Sequence, residues 1–138
     1  MCDCGVPNNK IVLASRARTD TVVTEALVND CYRGVTLTIV VDSITIAAPG
    51  DGITPVVGSV EDQAAFTGGP ALLNDGQLIT ATGTYIIQLY PGVVAPPIGP
   101  RGDILEQLNN VLPAVWAVGV IHANNTAATY SVFASMQP

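Results

Sequence analysis

The sequence predicts an all-β protein with the architecture of a β-sandwich or jelly roll. Short runs of alternating apolar and polar residues recur along the chain, and this alternation is the pattern of half-buried strands. Clusters of Gly, Pro, Asn and Asp separate the runs, as turns do. There is no internal repeat and no coiled-coil pattern. Because the chain has 138 residues, we expect one domain with its own hydrophobic core.

The clearest strand prediction is the run "TLTIVV". Leu37, Ile39 and Val41 point to one side of this strand, whereas the threonines point to the other. Beyond Asp42 the apolar residues fall on even positions, beginning with Ile44. Because a change of phase by one residue turns side chains to the opposite face, the sequence predicts a bulge, or a bend between sheets, at Asp42.

The middle of the chain alternates between turns and further strands. The segment "AAPGDGITP" predicts a turn, and "TPVVGSVE" predicts a strand. A long loop is expected from about 61 to 76. In "QLITATGTYIIQLY" two strand runs meet at Gly83, and Tyr85, Ile87 and Leu89 share one face. The next segment, "PGVVAPPIGPRG", has too many Pro and Gly residues for regular structure.

One short helix is predicted near residues 104–112. In "DILEQLNNVLP" the apolar residues recur at i, i+1, i+4, i+7 and i+8, which places them in a single stripe of a helix. Asp103 can cap the first turn, with Glu106 three residues further on. Pro113 would then end the helix.

The last part of the chain holds the only Trp and the only His. Trp116, Val118, Val120 and His122 share one face of a predicted strand, and Tyr130 begins the apolar face of the next. "ANNTA" between them is typical of a turn, so we predict a β-hairpin with His122 at its end. A catalytic histidine needs a nucleophile and an orienting group, and no such motif accompanies His122. We therefore expect a structural histidine and no enzymatic activity.

The composition favours a protein that associates with other chains. Hydrophobic residues make up 49% of the sequence and charged residues only 12%, whereas roughly 25% is usual for the charged share of soluble chains. A domain this small has too few charges to cover its surface, so we expect an oligomer or an assembly. The longest apolar run, residues 111–121, is too short to cross a bilayer, so we expect no membrane partner.

The charge is unevenly distributed along the chain. Residues 1–19 carry a net charge of +2, whereas the rest carries −8. We therefore predict an N-terminal arm over residues 1–19 and a single β domain over residues 20–138. Lys10, Arg16 and Arg18 would contact an acidic surface of the same chain or of a neighbour; a solvated tail is the alternative. A nucleic-acid partner is not expected, since the acidic bulk of the chain would repel phosphate groups.

The three cysteines, Cys2, Cys4 and Cys31, cannot all pair within one chain. Free thiols, a disulfide between Cys31 and either Cys4 or Cys2, and a metal shared between chains all remain open. No zinc, calcium-loop or phosphate-loop motif occurs, so we expect no cofactor and no catalytic residue. Because the N-terminus has no apolar core of signal-peptide length, we expect synthesis in the cytoplasm, where a disulfide would form only after release.

A series of short motifs spans roughly residues 15 to 135. It consists of Arg33-Gly34-Val35, Thr54-Pro55-Val56, Thr82-Gly83-Thr84, Tyr90-Pro91-Gly92, Leu112-Pro113, Trp116-Ala117-Val118 with His122 after it, and Tyr130-Ser131-Val132. In order and spacing the series resembles a group of small β-rich structural proteins of tailed bacteriophages. The long loop, the predicted helix and the N-terminal "MCDCG" depart from that group.

The resemblance implies a non-catalytic structural protein of the virion. Within that group we favour a capsid decoration, or cement, protein, which is commonly a trimer on the capsid exterior with an N-terminal arm that reaches a neighbour. The implied partners are the major capsid protein and further copies of the chain, as a homotrimer. A tail, neck or receptor-binding component of the virion is the alternative.

Overall fold

The computed structural model describes residues 8–24, 27–29, 31–59, 71–72, 77–91, 104–109 and 111–137. These residues form strands, turns and irregular segments without any helix, so the all-β prediction is confirmed for them. Their strands are β1 (Asn8–Arg18), β2 (Val22–Val23), β3 (Leu27–Val28), β4 (Gly34–Ile44), β5 (Gly52–Ser59), β6 (Ala71–Leu72), β7 (Gly83–Leu89), β8 (Ile104–Leu108), β9 (Val115–Ala123) and β10 (Ala128–Gln137). An apolar helix of membrane-spanning length does not occur in this part of the chain.

The strands form two sheets. Sheet A has the strand order β1-β10-β4-β7-β8, and sheet B has the order β2-β9-β5-β6, with β3 also paired to β9. Neighbouring strands are antiparallel except β7 and β8, which run parallel. Many neighbours are distant in sequence, so the architecture depends on long-range pairing more than on hairpins.

Strand β4 lies at the centre of sheet A and follows the predicted alternation. Its odd-numbered apolar residues are buried, and the threonines face the opposite side. Val41 pairs with Tyr130 and Ser43 pairs with Thr129, so Asp42 is an extra residue on β4. The predicted change of phase at Asp42 is therefore confirmed as a β-bulge.

The middle segments agree with the sequence where they are described. The predicted turn before β5 is present, with Gly50 at a φ of 91° that favours glycine, and "TPVVGSVE" falls largely within β5. Of the long loop from about 61 to 76, only Ala71–Leu72 is described, and it pairs with β5. The Pro- and Gly-rich segment after β7 lies outside the described residues except for Pro91.

One hydrophobic cluster contains most of the buried apolar side chains of both sheets. Trp116 of β9 and Tyr130 of β10 are its largest fully buried members. Each of these aromatic side chains buries about 150–250 Å². At roughly 25 cal/mol per Å² this amounts to at most about 4–6 kcal/mol for each ring. The shared cluster determines which face of each sheet is turned inwards.

The predicted β-hairpin at His122 is wrong. Strand β9 lies in sheet B and β10 lies in sheet A, so the turn between them carries the chain from one sheet to the other. Asn124 and Asn125 have φ angles of 52° and 55°, a conformation that Asn tolerates better than most residues. Alternation alone could not reveal this arrangement, because strands that face each other across a core show the same pattern as strands of a hairpin.

The predicted helix near residues 104–112 is also wrong, because Ile104–Leu108 forms β8 at the edge of sheet A. Strand β8 pairs in parallel with β7, with Leu108 opposite Leu89. A short apolar run fits either structure, and here pairing with the edge of β7 selects the strand. The cap predicted at Asp103 lies outside the described residues.

Over residues 8–18 the structure has a strand where we predicted an extended arm. Strand β1 pairs with β10 at the edge of sheet A, with two shifts of register along its length. Its Val12 and Leu13 pack against the core, and this apolar contact explains why a basic segment joins the sheet. Residues 1–7 lie outside the described residues, so an arm there stays a prediction.

Candidate functional site

The only histidine joins the two sheets. His122 of β9 is 6% exposed and Tyr130 of β10 is fully buried. The imidazole Nδ1 lies 2.6 Å from the carbonyl oxygen of Thr126, and Nε2 lies 2.7 Å from the Tyr130 hydroxyl oxygen. The ring centroids of His122 and Tyr130 are 5.5 Å apart. A polar bridge therefore runs from sheet B to sheet A beside the apolar core.

The two hydrogen bonds define where the protons lie. A carbonyl oxygen can only accept, so Nδ1 carries the proton and donates to Thr126. In the neutral imidazole Nε2 then accepts, and the Tyr130 hydroxyl donates to it. Burial raises the pKa of Tyr130 to about 12, although the charge of nearby Arg18 acts in the opposite direction. The hydroxyl therefore keeps its proton and remains a donor.

Both ring nitrogens of His122 are hydrogen-bonded within this bridge. Within the described part of the chain, no Ser, Thr or Cys side chain hydrogen-bonds to the imidazole, so the pair of nucleophile and base that acyl transfer needs is not assembled there. The same residues contain no group of three His, Cys, Asp or Glu side chains that could hold a metal ion. The observed role of His122 is to connect the sheets.

Arg18 lies over the ring of Tyr130. Its guanidinium carbon is 4.8 Å from the ring centroid, which is a cation–π geometry. The guanidinium also donates to the carbonyl oxygens of Tyr130 at 3.0 Å and Ala14 at 2.7 Å. Arg18 therefore attaches the irregular second half of β1 to β10, and its guanidinium is engaged in contacts within the chain.

The other two predicted contact residues lie on the same edge strand. Lys10 is half-buried and Arg16 is exposed on β1. Charged side chains on an edge strand discourage uncontrolled pairing with other chains. Contact of Lys10 and Arg16 with a neighbour or a capsid stays a prediction, whereas Arg18 is already held by its own chain.

Asp51 ties the loop before β5 to the turn after β9. One carboxylate oxygen accepts from the backbone N–H groups of Ala47 and Ala48, each at 3.0 Å, and the other accepts from the Asn124 amide at 3.0 Å. The Asn124 amide and the two backbone N–H groups hold the pKa of Asp51 below its usual value. Sequence reasoning recognised Asp51 as a turn residue, but nothing in the sequence signals its contact with Asn124.

Cys31 takes part in a disulfide bond, so the free-thiol alternative is wrong for this residue. Its partner lies outside the described residues, and the pairing of Cys31 with Cys4 stays a prediction. Disulfides persist in oxidising surroundings and not in a reducing cytoplasm.

The side of sheet A that is turned away from the core, here called the outer face, carries uncharged side chains. On β1, β4, β7 and β10 its described residues include Asn9, Ile11, Thr36, Thr38, Val40, Thr84, Ile86, Gln88, Ser131, Phe133 and Ser135. Ile11 is 64% exposed and Phe133 is 38% exposed, and both line a groove of about 390 Å³. Exposed apolar surface of this kind is typical of interaction sites. The composition predicts association but does not indicate which surface takes part. Residues from four separate strands build this face, so no single stretch of the sequence reveals it.

A second groove, of about 500 Å³, lies at one end of the outer face. It is lined by Arg33, Thr36, Gln88, Tyr90, Pro91 and Gln137. Beside it β4 approaches Tyr90 so closely that a Cβ at Gly34 would overlap Tyr90 and the carbonyl oxygen of Leu89. A guanidinium, two amides and a phenol ring can bind the carboxylate and hydroxyl groups of a ligand.

Comparisons with known proteins add no relative. No protein-family model matches the chain, and comparisons with curated proteins and with solved structures find no significant match. The resemblance to structural proteins of tailed bacteriophages therefore rests on the motifs of the sequence alone.

Replacing Tyr130 by Phe tests the bridge between the sheets. Tyr130→Phe keeps the buried ring but leaves Nε2 of His122 without its donor, so we expect a loss of about 1–3 kcal/mol in the free energy of unfolding. Urea unfolding followed by tryptophan fluorescence measures it. Tyr85→Phe is the control, because its hydroxyl bonds to Ala81 at an exposed position, and its loss should stay within about 0.5 kcal/mol. Equal losses in the two variants would contradict the bridge.

The lowered pKa of Asp51 predicts a specific dependence of stability on pH. A carboxyl group with a depressed pKa stabilises the fold above its unfolded pKa of about 3.9, and that contribution is lost as pH falls through the folded pKa. Asp51→Asn should therefore lower the Tm near neutral pH, and the difference in Tm from the parent chain should shrink below about pH 4. Thermal unfolding between about pH 7 and 2 measures this. Asp20→Asn, at an exposed position, should leave the Tm unchanged throughout; a constant difference for Asp51→Asn would contradict the ionic contribution.

Proposed function

We propose that this chain is a non-enzymatic structural protein of a bacteriophage virion, which decorates and stabilises the capsid as a cement protein. The observation that carries the proposal is the outer face of sheet A, which presents uncharged and partly apolar side chains to the surroundings. The two sheets and their common core support the further inference of a β-sandwich. The series of sequence motifs supplies the link to virion proteins.

A cement protein works through contact area, and this chain offers surfaces suited to contact. A single interface of modest size binds weakly, but many copies on a repeating shell act together. Such a role requires no catalytic group. The engagement of both nitrogens of His122 within the fold supports this reading, since the only histidine is then a part of the scaffold.

The proposed setting is the exterior of the capsid. The proposed partners are the major capsid protein and further copies of the chain in a homotrimer. We assign the contact with the capsid to the basic edge strand β1, where Lys10 and Arg16 lie beside a strand edge that no other described strand pairs with. The disulfide at Cys31 supports a location outside the reducing cytoplasm in which the chain is made.

A tail, neck or receptor-binding component is the second candidate, and one observation favours it. The groove lined by Arg33, Gln88 and Gln137 combines a positive charge with amide groups. These groups suit a ligand that carries hydroxyl and carboxylate groups, as surface glycans of a host cell do. Such a component would be present in few copies per virion, whereas a decoration protein covers the shell.

Binding to purified capsids that lack the chain tests the proposal. We expect the intact chain to sediment with such shells, and the double variant Lys10→Ser/Arg16→Ser to bind roughly tenfold more weakly, since exposed ion pairs contribute up to about 1 kcal/mol each. Point substitutions are preferable to removal of the N-terminus, because a truncation would delete β1 from sheet A.

The matched control is Lys10→Arg/Arg16→Lys, which keeps both charges and should bind as the parent chain does. A chain that does not bind shells at all would contradict capsid decoration. Equal binding by the serine and the control variants would retain decoration but remove β1 as the contact strand.

A further inference from the structure

A row of side chains crosses the outer face of sheet A in register. Ile11 of β1 is paired with Phe133 of β10, Phe133 with Thr38 of β4, and Thr38 with Ile86 of β7. Directly opposite residues of antiparallel strands point to the same side. The row therefore presents three apolar side chains and one threonine across four strands.

The rows on either side of it are also uncharged. One consists of Asn9, Ser135, Thr36 and Gln88, and the other contains Ser131, Val40 and Thr84, of which Ser131 is buried. Lys10 touches the groove beside Ile11, but it pairs with the buried Ala134 and so belongs to the opposite side of β1. A sheet face open to water is usually polar, whereas these rows also include the apolar residues Ile11, Val40, Ile86 and Phe133 and no charged residue. Such a surface is typical of interaction sites.

Opposite charges stand at the two ends of this face. Arg33 directly precedes β4 and lines the groove at one end, whereas Asp42 occupies the bulge near the other end of the same strand. Both residues are exposed. The Asp42 carboxylate accepts a bond from the Ser15 hydroxyl at 3.3 Å, and no described residue accepts from the Arg33 guanidinium. At about 3.4 Å per residue, the two charges lie roughly 30 Å apart along β4.

We propose that the outer face of sheet A binds the same face of a second copy of this chain, in a twofold contact that is separate from the threefold contacts of the proposed homotrimer. When the β4 strands of two copies run antiparallel across a twofold axis, Arg33 of each copy meets Asp42 of the other, and the uncharged rows pack between these pairs. The charge pattern selects a second copy because the face is complementary to itself. Copies with a net charge of −6 repel one another elsewhere, so a neutral face is the favourable place to meet.

The outer face of sheet B is less suited to this contact. Val56 and Ala117 lie on that side of sheet B, yet they are 4% and 0% exposed, so much of that face is already covered within one chain. Val23, Val28 and Ile121 nevertheless remain 39%, 65% and 43% exposed on that side. On sheet A, by contrast, the exposed row adjoins an open groove that a side chain of the partner can enter.

The size of the face sets the expected strength of the contact. Four strands about 4.8 Å apart and three rows about 6.8 Å apart give roughly 400 Å² per copy. A pair would bury about 800 Å², which is at the lower end for specific association. We therefore expect a reversible contact in the micromolar range, which becomes effective when many copies are held on one shell. The inference rests on the proposed function for this biological setting only.

Variants that reverse the charge of Arg33, or exchange the charges of Arg33 and Asp42, test the pairing. Sedimentation equilibrium of the purified chain between about 5 and 200 μM should show association. The weight-average mass should increase as the protein concentration increases. Arg33→Asp should raise the dissociation constant roughly tenfold, because it places two carboxylates together at each end. The double variant Arg33→Asp/Asp42→Arg should recover the association of the parent chain. Equal masses for all three chains would overturn the proposal.

A second pair of variants tests the apolar row independently. Phe133→Lys should abolish the association, whereas Ile121→Lys, at a similarly exposed position on sheet B, should not. Thr38→Lys in the same row replaces Phe133→Lys if the latter lowers the Tm. Loss of association with Ile121→Lys alone would overturn the proposal. A chain that binds shells but never self-associates would overturn this inference and leave capsid decoration intact. A chain that self-associates through this face but does not bind shells would overturn capsid decoration and leave this inference intact.

Discussion

The hydrogen bond between the Tyr130 hydroxyl and Nε2 of His122 is the constraint on which the arrangement of the two sheets depends. Polar groups buried at this depth have to be paired, since leaving one unpaired costs about 1–3 kcal/mol. The bond joins β9 of sheet B to β10 of sheet A. A short turn connects these two strands in the chain. Arg18 attaches the edge strand β1 to the same tyrosine through its ring and its carbonyl oxygen. Three strands are thereby positioned around one residue.

The His122 imidazole, the Tyr130 hydroxyl and the Arg18 guanidinium are engaged within the fold, although Nε of Arg18 has no hydrogen-bond partner among the described residues. The surfaces open to other molecules lie elsewhere. Sheet A provides two different surfaces for this purpose. Its outer face is uncharged between Arg33 and Asp42, which suits a copy of itself, whereas its β1 edge carries Lys10 and Arg16, which suit an acidic partner. The proposed contacts with further copies and with a shell require two such surfaces. Both lie on sheet A, and they adjoin where Lys10 lines the groove beside Ile11.

The sequence was sufficient for features that depend on local alternation. The inward residues of β4, the bulge at Asp42 and the buried face of β9 all follow from the period of two. It was not sufficient for the choice of strand partners, which depends on contacts between distant segments. For that reason the sequence predicts a hairpin for β9 and β10, a helix near residues 104–112 and an arm over residues 1–19, and the structure differs in each case. The outer face had no sequence signal beyond the low charge content, since it is assembled from four strands that pairing brings together.

The number of copies of this chain per purified virion tests capsid decoration most directly. Quantitative mass spectrometry of intact particles, with the major capsid protein as the internal reference, provides that number. Decoration predicts a copy number comparable to that of the major capsid protein. A handful of copies would contradict decoration and favour a tail, neck or receptor-binding role, and absence of the chain from the particle would contradict a virion role altogether.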